Sequence, residues 1–444
     1  MKFMKILHIN TNDTYGGAAQ AAFRLHEALL QSGIDSQMLV ANKNSDLNCI
    51  TALPKRPQKK VFLNRVTHKF CKFFFNEKKP LNKYKKTISK KWGPFSPQIT
   101  SNKCLIKAIN EIKPDIVNLH WICRNFLSIE DIAEIKAPIV WSLHDMWAFT
   151  GGCHIVADQC LPHSGEGMPH CDGIDAMCDK YTQNCGSCDY LGSNEKEDLS
   201  FKVLQRKKIA WGNIPCMTII GLSRWMENCA KKSAVFMGKN IVCLPNPINT
   251  TVFKPVDKTQ ARMLWNLPND KKLILFGAIS ATSTPYKGYD LLIDALKRLS
   301  TENVEFVVFG SSEPENVPEL PHKVRYLGHL NDTVSLVSLY NACDVMIVPS
   351  KRENLSNTIM ESLSCGTPVV CFDIGGNSDM VSHKANGYLA QPFDVLDLAK
   401  GIGWVLNNDE YDTLSKNARE KVASEFDYAI VVKRYINLYE KLAR

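Results

Sequence analysis

The sequence predicts an α/β protein built from two doubly wound domains of parallel sheet. Short apolar runs alternate with helical patterns along the 444-residue chain, and this alternation favours parallel strands covered by helices on both faces. A Pro-Asn-Pro stretch at 245–247 separates two such series. Hydrophobic residues make up 45% and charged residues 22%, a balance that excludes a mostly disordered chain, collagen and a coiled-coil rod.

The first predicted domain spans residues 1–240 and opens with a strand over 5–10. A helix is predicted over 18–32, because apolar residues recur there at helical spacing and Gly33 can end it. Further apolar runs predict strands over 115–119, 139–143, 217–221 and 241–244. Since parallel sheets bind ligands at the carboxyl ends of their strands, functional residues are expected in the loops that follow them.

The second predicted domain spans residues 250–425 and repeats the pattern. Strands are predicted over 272–276, 305–309, 324–327, 345–348 and 368–372, with helices over 289–299 and 358–364 among those between them. A terminal helix over 428–442, within residues 426–444, is expected to close the structure. Two domains of this kind are expected to place a ligand in the cleft between them.

Positive charge is concentrated in one segment. Residues 55–91 hold 14 Lys or Arg and one acid, so this basic segment carries a charge of +13. The rest of the chain carries −4, which gives the net charge of +9. Apolar residues recur at helical spacing within it, namely Phe62, Val66, Phe70, Phe73 and Phe74. The pattern predicts a helix lying on an anionic membrane surface or, alternatively, a core-facing helix with a solvated basic face. Nucleic acid is not an expected partner, because no binding motif accompanies the charge.

The location of the protein follows from its hydrophobic runs. None approaches the roughly 18–20 apolar residues that a membrane span needs, and residues 1–10 are too short and interrupted for a signal peptide. We therefore expect a cytoplasmic protein that associates peripherally with the inner face of the cell membrane.

Two motifs of the first domain follow strands. Gly16 and Gly17 lie between the first strand and the first helix, where glycine lets a ligand approach the backbone or simply allows a tight turn. His144 and Asp145 follow the strand 139–143. A histidine at that position can orient or donate to a substrate hydroxyl or phosphate, or it can be a hydrogen-bonded core residue.

Two motifs of the second domain also follow strands. Lys287 precedes a helix, and a cation there opposes the helix dipole unless an anion such as a diphosphate lies between them. An ordinary surface lysine is the alternative.

Glu353 and Glu361 are eight residues apart, and we expect Asn357 to cap the next helix and to leave Glu361 in or near its first turn. Two carboxylates at a helix amino end can bind sugar or ribose hydroxyls. Since no Asp-x-Asp occurs, Lys287 and Arg352 are expected to supply the positive charge instead of a metal.

These motifs together resemble the signature of retaining glycosyltransferase family four. The spacing of Glu353 and Glu361 resembles its Glu-x7-Glu, Lys-Gly at 287–288 its Lys-Gly, and Gly-Gly at 16–17 its amino-terminal glycine loop. Pro-Asn-Pro-Ile-Asn at 245–249 is similar to its inter-domain Pro-Asn-Gly-Ile-Asp. Three further stretches resemble a narrower group, the colanic-acid and O-antigen transferases of bacterial surface polysaccharides: Trp-Ser-Leu-His-Asp-Met-Trp at 141–147, Thr-Gly-Gly-Cys at 150–153 and Cys-Gly-Ser-Cys at 185–188.

The resemblance implies the GT-B fold, a nucleotide-sugar donor on the carboxyl-terminal domain and retention of anomeric configuration. By motif match, Glu361 holds the ribose and Lys287 the diphosphate, while His144 lies near the donor sugar and the reaction centre. Glu353 holds the donor sugar together with the residues after it, namely Asn354, Leu355, Ser356 and Asn357. Many family members carry an arginine shortly before the Lys-Gly; this sequence has none there, so a second cationic contact is missing or comes from Arg352.

We therefore expect a metal-independent glycosyltransferase that extends a lipid-linked oligosaccharide in O-antigen, capsule or exopolysaccharide biosynthesis. Its expected catalytic residues are His144, Lys287 and Glu353. Its expected substrate-binding residues are Gly16, Gly17, Asp145, Arg352, Asn354, Leu355, Ser356, Asn357 and Glu361. A catalytically silent GT-B binding protein and a sugar-nucleotide epimerase are the alternatives.

Six of the 16 cysteines fall between residues 153 and 188, in an apparent insertion over 150–190. Cys153, Cys178, Cys185 and Cys188 suit a tetrahedral structural zinc site, because the last two form a Cys-x2-Cys knuckle. Reduced buried cysteines or an oxidised pair are the alternatives. Since four thiolates leave no open position on zinc for chemistry, we expect a structural metal that fixes a loop near the acceptor side. No cofactor is expected for catalysis.

Overall fold

The computed structural model describes residues 4–52, 78–88, 94–156, 178–277, 279–280, 282–330 and 332–443. The chain divides into two compact units. The first comprises Met1–Leu244 with Arg434–Arg444, and the second comprises Pro245–Lys433. Each unit carries an all-parallel sheet with helices between its strands, so the predicted α/β class is confirmed. The amphipathic pattern over 62–74 lies outside the described residues.

The helices and strands of the first unit begin at the amino terminus. They are β1 Lys5–Asn12, α1 Gly17–Gln31, β2 Asp35–Asn42, β3 Ile50–Ala52, α2 Lys78–Asn82, α3 Lys103–Ile112, β4 Ile116–Leu119, α4 Ile129–Ile132, β5 Ile139–Leu143, α5 Leu199–Gly212, β6 Met217–Gly221, α6 Arg224–Lys232 and β7 Asn240–Cys243.

The sheet of the first unit has the strand order β3-β2-β1-β4-β5-β6-β7, and all its strand pairs are parallel. The strands β4, β5 and β6 are buried along their whole length, which explains why they read as continuous apolar runs in the sequence. The direction of strand addition reverses between β1 and β4. That reversal is the topological switch point, where sheets of this kind bind ligands.

The second unit continues the numbering. Its helices and strands are α7 Lys258–Leu264, β8 Lys272–Gly277, α8 Tyr289–Lys297, β9 Val304–Phe309, β10 Lys323–Tyr326, α9 Thr333–Ala342, β11 Val345–Val348, α10 Asn357–Ser364, β12 Val369–Phe372, α11 Asn377–Met380, β13 Gly387–Ala390, α12 Val395–Leu406 and α13 Tyr411–Glu425.

The sheet of the second unit has the order β10-β9-β8-β11-β12-β13, again with parallel pairs. Its switch point lies between β8 and β11. Lys287 follows β8 and Glu353 follows β11. The two strands that flank the switch point thus precede the two motifs that the sequence singled out.

A terminal helix, α14 Tyr428–Leu442, has the bounds that the sequence predicts. Its residues from Arg434 onward belong to the first unit. There the Asn118 side chain of β4 donates to the Tyr439 hydroxyl at 2.7 Å, and both side chains are fully buried. Among the described residues, no helix is both long and apolar enough to cross a membrane.

Candidate functional site

The second unit pairs two sequence-predicted residues directly. The Lys287 Nζ lies 3.0 Å from the Glu353 Oε2, and only 22% and 15% of the two side chains are exposed. Lys287 ends a short 3-10 turn, Pro285–Lys287, between β8 and α8. We call Lys287 and Glu353 the switch-point pair.

Glycines allow the loops of the switch-point pair to pack closely. Gly288 has a φ of +71°, and a Cβ on it would lie 1.8 Å from the carbonyl oxygen of Pro349. Gly375, with a φ of +54°, follows β12, and a Cβ there would lie 1.8 Å from the carbonyl oxygen of Glu353. Neither position accepts a side chain without backbone movement. Gly375 was missed in the sequence, although a Gly-Gly pair directly after an apolar strand could have indicated it.

The switch-point pair is a charged pair. Burial works to lower the pKa of Lys287, but the Glu353 carboxylate, the nearby Tyr286 and the hydrogen bond from Lys287 to Glu353 outweigh burial and raise it. Lys287 is therefore a cation at neutral pH. Its ammonium has three N–H donors, and Glu353 accepts from one, so this cation can also donate to an anion such as a diphosphate.

Glu361 lies deeper than the sequence predicts. Ser356, not Asn357, is the N-cap residue of α10, and Glu361 is the fifth helical residue. The prediction of Asn357 as the cap was wrong, because the helix begins one residue earlier than the pattern indicated, and Glu361 lies one residue further from the helix start than expected. Glu361 is 6% exposed, and its Oε2 accepts a hydrogen bond of 2.8 Å from the Tyr340 hydroxyl.

The residues beside and after Glu353 lie in the same loop and at the start of α10. Arg352, Leu355 and Ser356 are buried, whereas Asn354 and Asn357 are half-buried. Arg352 therefore has the burial expected of a cation that acts inside the site. Tyr340, which holds Glu361, lies on α9 and carries no local sequence signal that would have revealed it.

The first unit gathers three histidines that lie on, or directly after, three neighbouring strands. A hydrogen bond of 2.9 Å joins His8 Nδ1 to His120 Nε2, and another of 2.9 Å joins His120 Nδ1 to His144 Nε2. His8 lies on β1, while His120 and His144 follow β4 and β5. Burial lowers the pKa of His144 to about 4, against the raising effect of Asp145. We call these three rings the histidine chain.

Asp145 is engaged within the protein. Its Oδ2 accepts from the Trp121 indole at 2.7 Å and lies 2.6 Å from the His154 Nδ1, and its Oδ1 accepts from the Trp147 amide at 2.9 Å. Burial works to raise the pKa of Asp145, but His154 and these hydrogen bonds outweigh it and lower the pKa. Asp145 is therefore an ionised anchor that holds the loop beside His144.

A small cavity adjoins this loop and is lined by His120, Trp121, His144 and Asp145, among others. Beneath it, Lys207 is fully buried and donates to the carbonyl oxygens of Trp147 and Thr150. Burial lowers the pKa of Lys207 to about 7, against the raising effect of nearby thiols and Asp145. The cavity and its anchored wall could receive a small polar group next to His144.

Gly16 and Gly17 lie where the sequence places them, at the start of α1. Gly16 is the N-cap residue with a φ of +96°, a conformation that favours glycine. A Cβ on Gly16 would meet no described atom within 4 Å, so its backbone angle rather than crowding explains the glycine. A tight turn accounts for Gly16, and the open space leaves room for a ligand.

The structure gives the predicted zinc site no support. Within the described residues, no group of three or more His, Cys, Asp or Glu side chains is placed to hold a metal ion. Burial raises the pKa of Cys153 to about 12, with a further contribution from Cys188, and the pKa of Cys185 is raised well above its usual value in the same way. Without a metal, raised pKa values thus keep all four predicted ligands as protonated thiols. Cys160 and Cys171 lie outside the described residues.

Solved structures resemble the whole chain in fold. Sucrose-phosphate synthase from Thermosynechococcus elongatus superposes with a TM-score of 0.65 and 18% identity, covering 99% of both chains. Anabaena HepE, solved in complex with UDP and glucose, superposes with a TM-score of 0.61 and 14% identity, covering 99% of this chain and all of that one. The protein therefore has the GT-B fold of two parallel-sheet α/β domains.

The sequence comparisons agree with the resemblance drawn from the motifs. Residues 257–421, which lie in the second unit, match the model described as Glycosyl transferases group 1. D-inositol 3-phosphate glycosyltransferase of Mycolicibacterium smegmatis is 30% identical over 44% of this chain and 46% of its own. A Campylobacter jejuni protein, N,N'-diacetylbacillosaminyl-diphospho-undecaprenol alpha-1,3-N-acetylgalactosaminyltransferase, is 27% identical over 44% of this chain and 53% of its own. The chain thus spans about half the length of the curated relatives it matches.

Proposed function

We propose that this protein is a retaining, metal-independent glycosyltransferase that moves a sugar from a nucleotide-sugar donor onto a lipid-linked oligosaccharide. The bacterial surface polysaccharides, such as O-antigen, capsule or exopolysaccharide, are the proposed products. The observation that carries the proposal is the switch-point pair. It lies next to the topological switch of the second sheet, within the residues that match the glycosyltransferase family.

Lys287 is proposed to hold the donor diphosphate. Negative charge grows on the leaving diphosphate as the glycosidic bond breaks, so a cation placed there stabilises the transition state more than the ground state. The raised pKa of Lys287 keeps it charged, and Glu353 holds its ammonium in place. Arg352 is the proposed second cation, and Glu353 with residues 354–357 is proposed to bind the donor sugar.

Glu361 is proposed to bind the ribose hydroxyls. The Tyr340 hydroxyl donates to its Oε2 and so orients the carboxylate, a group that accepts hydrogen bonds from hydroxyls. In the first unit, His144 is proposed to contact the reacting sugar, with Gly16 and Gly17 beside the substrate. Asp145 is proposed to support it by anchoring the adjacent loop.

The lipid-linked acceptor is proposed from two observations. The printed name of the Campylobacter jejuni relative specifies a diphospho-undecaprenol acceptor. Residues 55–91 also combine 14 basic residues with apolar residues at helical spacing, the pattern of a segment that binds anionic membranes. Flotation with anionic and neutral vesicles tests this segment: binding only to anionic vesicles is expected, and equal binding or none would refute it.

A panel of sugar nucleotides tests the proposed activity. One donor should raise the melting temperature, because a ligand that binds only the folded state stabilises it by mass action. With that donor and a lipid-linked acceptor, transfer should give a product of unchanged anomeric configuration. Binding without transfer would favour the silent binding protein, and conversion of the donor without acceptor would favour the epimerase.

A further inference from the structure

The histidine chain has a restricted set of proton positions. Its three rings are held by two hydrogen bonds of 2.9 Å, and His8 and His120 are almost completely buried. Burial lowers the pKa of all three rings, so each is neutral at pH 7 and carries a single N–H. Each of the two hydrogen bonds must use one of these protons.

Only two arrangements satisfy both bonds. In the first, His8 Nδ1–H donates to His120, and His120 Nδ1–H donates to His144 Nε2, so the proton of His144 is on Nδ1. In the second, every proton is on the opposite nitrogen: His144 Nε2–H donates to His120, His120 Nε2–H donates to His8, and His8 carries its proton on Nε2. The three tautomers therefore change together.

The far end of the chain distinguishes the two arrangements. His8 Nε2 is buried and has no hydrogen-bond partner among the residues that the structure describes. The centroid of the His26 ring lies 5.7 Å from that of the His8 ring, but the two nitrogens of His26 contact the Ser36 hydroxyl and the Cys49 thiol. The second arrangement would leave a buried N–H unpaired at His8, whereas the first leaves a lone pair. Orphaned buried N–H groups are the rarer of the two in folded proteins.

We propose that His120 and His8 are positioning residues that hold His144 in the tautomer with its proton on Nδ1. His144 then acts towards a sugar oxygen as a hydrogen-bond donor rather than as a base. This inference rests on the proposed function, in which His144 contacts the reacting sugar. It assigns roles to two buried residues, His8 and His120, that the proposed function leaves without one.

Nitrogen NMR of the protein with ¹⁵N-labelled histidine tests the assignment directly. Long-range proton–nitrogen correlations report which nitrogen of each ring carries the proton, and His144→Ala identifies the His144 signals among the 11 histidines. The expected result is a protonated Nδ1 and an unprotonated Nε2 at His144 in the unaltered protein. A proton on Nε2 overturns the inference without any variant.

Two neutral substitutions of similar size at His120 then separate positioning from mere packing. His120→Gln keeps an N–H donor and should preserve both the His144 tautomer and most of the turnover. His120→Met has no donor, so the His144 signals should shift towards the Nε2–H form, and kcat should fall about tenfold with the donor KM within twofold. Equal tautomers and equal turnover in the two variants would overturn the inference. An Nδ1–H tautomer in a protein whose transfer survives His144→Ala would instead refute the proposed function.

Discussion

The two units hold their candidate polar residues in different charge states. The second unit holds a half-buried charged pair, Lys287 with Glu353, whereas the first holds a chain of neutral histidines. A cation held by a carboxylate suits a ligand whose charge grows during reaction. Neutral rings held by one another suit a directed hydrogen bond. Under the proposed function, the second unit would meet the charge of the leaving diphosphate and the first would orient a neutral sugar.

A second comparison within the second unit shows that position, not pairing, distinguishes Lys287. Lys271 lies just before β8 and pairs with Glu305 at 2.8 Å, much as Lys287 after β8 pairs with Glu353. Glu305 also pairs with Arg325 at 2.7 Å. The Lys271 pair is at the amino ends of the strands, away from the edge where such sheets bind ligands.

The largest loss of transfer rate is expected when the cation of the switch-point pair is removed. Lys287→Ala should lower the transfer rate about a hundredfold to a thousandfold, because a contact to developing charge is lost. Lys271→Ala, which leaves Glu305 paired with Arg325, should keep a rate within about twofold of the unaltered protein. Steady-state transfer assays, with melting curves to confirm folding, measure both. Similar rates in the two variants would show that the switch-point pair is structural only.

Substitution of Glu361 is expected to change donor binding rather than the chemical step. Glu361→Gln keeps an oxygen for the Tyr340 hydroxyl but removes the carboxylate charge. Donor KM should rise about tenfold to a hundredfold with little change in kcat, since a ribose contact is made in ground and transition states alike. Tyr340→Phe, the matched control, leaves the carboxylate in place and should change donor KM less. An effect on kcat alone would contradict the ribose assignment.

His144 is expected to show the reverse pattern. His144→Ala should lower kcat about tenfold, the scale of one hydrogen bond, and leave donor affinity unchanged. Calorimetry of donor binding beside the transfer rate separates the two quantities. A loss of donor affinity equal to the loss of rate would place His144 among the donor-binding residues instead.

The neutral histidines also predict how stability depends on pH. An unfolded histidine titrates near pH 6.5, whereas burial lowers the pKa of folded His144 to about 4. The unfolded state therefore binds more protons between these values. The stabilisation is fully present above about pH 6.5 and is lost as pH falls towards 4, by at most about 1.4 kcal/mol per pH unit for each such histidine.

Urea denaturation at pH 7.5 and pH 5 measures this loss. His8→Gln should reduce the difference between the two pH values, because one buried histidine no longer titrates. His329→Gln, at an exposed position of the second unit, should leave the difference unchanged. A free energy of unfolding that rises on acidification would contradict the neutral histidine chain.

Metal removal is expected to have the smallest effect. The sequence has no Asp-x-Asp motif, and the proposed diphosphate contacts are Lys287 and Arg352. Treatment with EDTA should therefore leave the transfer rate within twofold, and a tenfold loss would contradict metal independence. Metal analysis of the same protein decides the zinc prediction: one equivalent of zinc that Cys185→Ser removes would support it, and its absence would leave buried thiols.

The sequence predicts the sheets better than the contacts between loops. Strands such as β5 and β9 were found because they are buried on both faces and read as apolar runs. Strand β2, with polar residues at its start and end, and the three-residue β3 lack that signal and were missed. The site motifs were visible because they follow strands. Tyr340 was not, since it lies on a helix and only folding brings it to Glu361.

Binding of nucleoside diphosphates by calorimetry tests the central claim most directly. Adenosine, guanosine, uridine, cytidine and thymidine diphosphates would be titrated into the unaltered protein and into the Glu361→Gln and Lys271→Ala variants. We expect saturable binding of at least one of them, weakened about tenfold or more by Glu361→Gln and unchanged by Lys271→Ala. Absence of binding by all five, or equal affinity in the unaltered protein and Glu361→Gln, would contradict a donor site in the second unit.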